Sequence, residues 1–348
     1  MKRKLTLILI AILTVAMLTG CTGVANSAFA GTYWLPQPTE SGVKTIYEKL
    51  VYTVSSESES ELVPKISSAV TGMTFTVEEG STFTTELYDE NGFYVYKTSL
   101  KIGGEYIYDG KGHSVTGDYV ETETVFKGME DKFAPVKTTR RVRSTYPQVT
   151  GSVADSNFKT VTYTSTIEYG EKDAVFTVSP DEASKPLFLS AQEPITVKKY
   201  NRKAFMDNDL MPLLFRNFKQ ESTLSYTFSV IEDATGIKRE IYARPHVMAV
   251  QSTESTADNT AIKPITVKDI LFDGVLKTVK FNAFGISFST TGEYAQNFMY
   301  AFYANSIEDD YFGDENSSRH YMVKCFRPSI YDSGYTVYTL KSISHDKD

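Results

Sequence analysis

The side chains best suited to catalysis or metal binding are sparse in this chain of 348 residues: four histidines (His113, His246, His320 and His345) and two cysteines (Cys21 and Cys325). A serine hydrolase sets its nucleophile on a sharp turn spelled Gly-x-Ser-x-Gly, and no such run occurs. No histidine is followed by Glu and a second His at helical spacing, and no Cys-x-x-Cys exists, so neither a zinc-protease site nor a structural zinc site is spelled. His113 follows Asp109-Gly110-Lys111-Gly112 and reads as a turn residue, His246 follows Pro245 at a strand edge, and His345 lies in a polar tail. The Gly110-Lys111-Gly112 run lacks the third glycine and the Lys-Ser/Thr ending of a phosphate loop, so a hairpin turn explains it better. No catalytic residue, metal ligand or cofactor is assigned.

Three further clusters carry charge or reactivity. Glu308-Asp309-Asp310-Tyr311-Phe312-Gly313-Asp314-Glu315-Asn316 offers oxygen ligands to a hard cation, but its spacing is not that of an EF-hand, and it reads as a solvated loop. Lys137, Arg140, Arg141 and Arg143 form a basic run. On a strand, Arg141 and Arg143 share a face, suited either to a phosphate-bearing lipid or wall polymer or to keeping a sheet edge from aggregating. Cys325 alternates with Val323 and Tyr321 in Tyr321-Met322-Val323-Lys324-Cys325-Phe326 and reads as a small buried apolar residue.

The N-terminus carries the most specific signal. Lys2, Arg3 and Lys4 precede an apolar run from Leu5 to Leu18, the two parts of an export signal, and the run is shorter than the roughly 20 residues a membrane span needs. Leu18-Thr19-Gly20-Cys21 resembles the lipobox of bacterial lipoproteins, with Thr19 where Ala or Ser is commoner. The resemblance implies that residues 1–20 are a signal peptide and that Cys21 becomes the acylated first residue, holding the protein on the cell membrane and facing outside the cytoplasm. Residues 21–43, small and polar with Gly31, Pro36 and Pro38, read as a flexible tether.

The chain has 36 basic and 43 acidic residues, a net charge of −7, and cleavage before Cys21 removes Lys2, Arg3 and Lys4 and carries this to −10. Such a charge argues against nucleic acid as a partner. With Cys21 acylated, Cys325 has no partner for an internal disulfide.

Residues 44–345 are the elements that would position any site. Runs rich in Tyr, Phe, Val and Thr recur between turn residues, among them Ile46–Val54, Phe83–Tyr88, Phe93–Ile102, Tyr119–Phe126, Val136–Thr145 and Phe158–Tyr169. Asn91-Gly92, Gly103-Gly104 and Asp109-Gly110 read as tight turns, so the fold class is mainly β, a large antiparallel sheet. It is one domain or two lobes divided near residues 180–200. The 23 tyrosines and 21 phenylalanines read as core by default.

One segment departs from the strand pattern. Leu210, Leu214 and Phe218 fall on one helical face after Asp207-Asn208-Asp209, whose side chains can cap the first turn, and Pro212 is tolerated only there. A second short helix is expected over Glu293–Ala304, where Tyr294, Phe298 and Ala301 share a face. The apolar helix, the hairpin Leu224–Ala243 and the closing strand Ser333–Leu340 make the body similar to LolA/LppX-type half-barrel lipoproteins. That resemblance implies a curved sheet whose concave face is covered by one or two short helices, with an apolar cavity between them for a hydrophobic small molecule or lipid. The functional expectation is a membrane-anchored, non-enzymatic lipoprotein that binds such a ligand or organises the envelope. The alternative is a surface module that binds glycan or protein and has no cavity.

Overall fold

The computed structural model describes residues 35, 38, 44–65, 73–128, 131, 133–148, 152–188, 193–198, 207, 209–217, 225–232, 234–246, 262–291, 296–307, 319–328 and 334–345. Cys21 and most of the tether, Phe218, and residues 308–316 lie outside these.

The protein is mainly β. Its strands are β1 (Thr45–Glu57), β2 (Thr74–Val77), β3 (Thr82–Glu90), β4 (Phe93–Tyr108), β5 (Lys111–Phe126), β6 (Pro135–Pro147), β7 (Phe158–Tyr169), β8 (Asp173–Pro180), β9 (Ile195–Lys198), β10 (Tyr226–Ile231), β11 (Lys238–Pro245), β12 (Ile262–Phe272), β13 (Val275–Thr290), β14 (Asn297–Ile307), β15 (Met322–Pro328) and β16 (Tyr335–Ser344). All 16 belong to one sheet, whose main path runs β10-β11-β13-β14-β15-β16-β1-β3-β4-β5-β6-β7-β8-β9. Beside this path β2 pairs with the far half of β4, and β12 pairs with both β13 and β16. The β12–β16 contact is parallel and two residues long, Leu271 opposite Ser342 and Phe272 opposite Ile343, and it closes β12 to β16 into a small ring.

Two parts of the sheet follow from two sequence patterns. In β7, Val161, Tyr163, Ser165 and Ile167 are buried and alternate with more open residues, the period of a strand with one wet face. In β13 every residue from Ala283 to Phe288 is buried, because the ring interior lies on one side and other strands and the helix on the other. The expected helix over Glu293–Ala304 is corrected here: residues 297–307 are strand β14, paired with β13 and β15. Met299 to Ala304 are all buried, so apolar residues stand at every spacing and the helical one among them was coincidental.

Turn chemistry is partly as expected. Asn91 and Gly92 (φ 52° and 79°) and Asp109 and Gly110 (φ 50° and 69°) take the left-handed conformation that tight hairpins need. Gly103-Gly104 is not a turn. Strand β4 runs through it with a bulge against Gly117, and a Cβ on Gly104 would meet the Thr76 carbonyl oxygen at 2.4 Å, so the glycine serves the close approach of β2.

The helix α1 (Met211–Leu214), extended by a 3-10 turn at Phe215–Asn217, lies inside the curl of the sheet. Phe215 packs on Phe228 of β10 and Phe288 of β13, while Asp207 and Asp209 just before the helix reach the opposite wall through β5, β6 and β7. The ends of the sheet also approach each other: Ile231 of β10 joins Val142, Ile167 and Phe176 of β6 to β8 in one apolar cluster. A short helix buried on every side needs apolar residues all round, and Leu210, Met211, Leu213, Leu214 and Phe215 supply them.

Candidate functional site

Two polar regions stand out, one inside the curl and one outside it. Inside, the Asp207 carboxylate accepts hydrogen bonds from Thr138 Oγ1 at 2.6 Å, Tyr169 OH at 2.7 Å and Thr124 Oγ1 at 3.3 Å, and from the Asp209 amide at 2.9 Å. Asp209 takes a two-pronged bond from the Arg140 guanidinium. These acids were expected to cap α1. Instead Leu210 is the N-cap, without a side-chain bond, and both carboxylates pin the segment to the sheet. Burial, and then the Asp207 charge, hold the Tyr169 phenol far above its ordinary range.

At the other end of the segment, Arg216 and Glu48 form a buried two-pronged ion pair. Arg216 Nε also donates to the Arg319 carbonyl at 2.9 Å, and its guanidinium lies 4.9 Å from the Tyr321 ring centre. The Glu48 attraction keeps Arg216 charged despite its burial, which by itself would push the other way. Sequence reading missed both clusters, because their bonded partners lie far apart in the chain, 168 positions for Glu48 and Arg216. The one available signal was a pair of acids and an arginine flanking an apolar run.

The candidate cavity-covering residues Leu210 and Leu214 are buried against the sheet, and Phe218 lies outside the described residues. The space beside the anchor, lined by Thr138, Arg140, Ser165, Ile167, Asp207, Asp209 and Ile231, is about 10 Å³. That is about the room one water molecule needs, far short of a ligand cavity.

The histidines are dispersed. His246 is buried with Nε2 3.0 Å from the Leu62 carbonyl oxygen, and His320 places Nδ1 2.7 Å from that of Ala304; burial lowers the proton affinity of both. His113 stacks on Phe158 with centroids 3.7 Å apart and meets Asp155 at 2.9 Å. His345, read as part of a polar tail, joins Asp273 (3.2 Å) to Tyr321 OH (2.9 Å). Among the described residues no three potential ligands gather to hold a metal. Cys325 is buried, and burial pushes its thiol up to about 11.

Outside the curl, the face of β1, β3, β4, β5 and β6 turned away from α1 forms a groove of about 460 Å³. Pairing register sets its lining in two rows, Lys49–Glu86–Lys97–Glu123–Thr139 and Thr84–Ser99–Glu121–Arg141. Lys97 bonds Glu123 at 2.9 Å, which raises the lysine's proton affinity, and Lys44 bonds Glu86 at 2.5 Å. Arg141 stands opposite Glu121 in register, exposed, and is in no ion pair among the described residues. A second hollow of about 470 Å³ continues past Glu121 to Lys101, Tyr119, Glu78 and Glu79. The basic run therefore divides by strand parity: Arg140 points inward to Asp209, while Arg141 lines the groove and Arg143 binds the Thr116 carbonyl and Asp118 at its far end.

No family model matches the chain, and no curated protein matches it. Among solved structures it is similar to the β-barrel-like protein of domain of unknown function DUF1849 from Brucella abortus, at 9% identity over 88% of this chain and 100% of that one, with a TM-score of 0.43. Similarity at that level carries no argument about function.

Proposed function

We propose that the chain is a non-enzymatic, membrane-tethered protein of the cell envelope that binds a neutral, hydroxyl-rich glycan in its outer groove. The observation that carries this reading is the groove itself: about 460 Å³, lined by three basic side chains, three acidic ones and several hydroxyls. Its charges balance, so it offers donors and acceptors without a net field, which suits an uncharged polyol better than a polyanion. Crossing five strands at about 4.8 Å spacing gives a path of roughly 19 Å, long enough for an extended chain rather than a single small molecule. The three carboxylates Glu86, Glu121 and Glu123 share this open face, and two of them are paired with lysines, an arrangement for holding a ligand rather than for protonating a leaving group.

The lipobox-like Leu18–Cys21 supports export and tethering, which incorporation of labelled palmitate into the wild type and its loss in Cys21→Ser would test. An apolar ligand inside the curl is the weaker reading, because α1 and its anchors occupy that volume. Titration calorimetry with N-acetylglucosamine oligomers and, separately, with palmitate distinguishes the two. Glycan binding in the micromolar to millimolar range that falls about tenfold in Arg141→Ala supports the groove; palmitate binding with no glycan binding would overturn it.

A further inference from the structure

Seven large hydrophobic residues are exposed among the described residues, and three of them share one hairpin tip: Leu271 at 41%, Val275 at 39% and Leu276 at 62%. They flank the β12–β13 turn, where Asp273 and Gly274 take left-handed φ of 42° and 85° and Leu271 stands directly across from Leu276. The tip is held rigid. The Asp273 amide donates to the Ile343 carbonyl at 2.9 Å, and its carboxylate accepts from the His345 amide at 2.9 Å and meets the His345 ring, which Tyr321 OH holds on the far side. Phe272, next to the turn, is buried beneath the tip. A mobile turn could fold such residues away; this one presents them.

Lysines outnumber acidic residues in the strands that carry the tip, where exposed Asp269 follows Lys268 and Asp273 sits in the turn. Lys268 and Lys277 stand on the two strands of the hairpin, Lys280 lies further along β13, and Lys341 precedes the β16 residue that pairs with Leu271. In a chain of net charge −7 this is a local reversal of sign. Exposed apolar side chains with an excess of lysines on the strands behind them match a bilayer surface, where the apolar groups enter the headgroup boundary and the ammonium groups meet anionic lipid.

We infer that the Leu271–Leu276 hairpin is a membrane-contact tip that docks on an anionic bilayer and orients the body on it. The inference rests on the tethered reading for proximity, since one lipid anchor makes a second, weak contact effectively intramolecular. It is independent of the glycan groove, whose Arg141→Ala variant leaves the tip intact.

The test places an environment-sensitive fluorophore on Leu276→Cys and, as control, on Lys172→Cys at the β7–β8 turn; Cys325 is buried and stays unlabelled. The full chain is reconstituted by detergent removal into vesicles of phosphatidylcholine carrying brominated acyl chains, at constant bromine content, with and without unbrominated phosphatidylglycerol. Quenching several-fold greater at position 276 than at 172, reduced when phosphatidylglycerol is left out, is the expected result. Equal, water-like emission at both positions on vesicle-bound chain would overturn it. So would shielding of position 276 that grows with protein concentration in the absence of lipid, which would identify a second copy as the occupant. A failed tether has a different signature, a Cys21→Ser chain that partitions with vesicles as the wild type does.

Discussion

The closed ring of β12 to β16 and the wing of β3 to β8 are one continuous sheet built on opposite principles. The ring's central strands are buried on both faces, with Phe281, Phe284, Phe288, Phe302, Tyr303 and Phe326 almost fully enclosed. The wing is half wet: its outer face is charged, and even its inner face carries Thr85, Thr98, Thr122, Thr124, Thr138 and Ser165. The contrast makes the ring the apolar frame, and the proposed glycan groove lies on the wing. Binding surfaces stay polar and open because a frame elsewhere supplies the apolar burial.

The most severe way to break this contrast is to cut a cavity in each half. Phe302→Ala in the ring should cost about 3–5 kcal/mol, whereas Val161→Ala in the wing should cost about 1–2 kcal/mol, read as midpoint shifts in urea unfolding. Equal costs would show that the ring is no more a frame than the wing.

Where α1 joins ring and wing, the Arg216–Glu48 pair sharpens the comparison. Arg216→Ala leaves Glu48 buried without its counter-ion and should cost about 3–5 kcal/mol, while the double change Arg216→Leu with Glu48→Met should recover most of that. A single variant near wild type in stability would mean that the carboxylate escapes to water.

A smaller effect separates the two parts by pH. His246 follows β11 beside the ring, and burial lowers its proton affinity below the ordinary value of 6.5. As pH falls through 6.5 the unfolded chain takes up the proton first, so stability is intact above that pH and declines below it. His246→Gln, which keeps a donor for the Leu62 carbonyl, should flatten the decline between about pH 6.5 and 5; an unchanged slope would assign it to other groups.

How much of this the sequence could disclose follows the same division. In the wing, alternation and the turns Asn91-Gly92 and Asp109-Gly110 gave strands near their observed positions, because one wet face writes period two into the chain. In the ring, burial on both faces erases that period, which is why a helix was expected over Glu293–Ala304 where residues 297–307 form β14. The apolar helix near 210–214 was legible from Leu210, Leu214 and Pro212, but its setting inside the curl was not, since the partners of Asp207, Asp209 and Arg216 come from β1, β5, β6 and β7. For the groove, the shared face of Arg141 and Arg143 was visible; the glutamates opposite required the register of five strands.

Hydrogen exchange read by mass spectrometry, with and without a saturating N-acetylglucosamine oligomer, tests the central claim that ligand meets the wing's outer face. Added protection confined to β3, β4, β5 and β6, absent in Arg141→Ala, is the predicted result. Protection appearing instead over residues 210–217, with none across those four strands, would contradict the account.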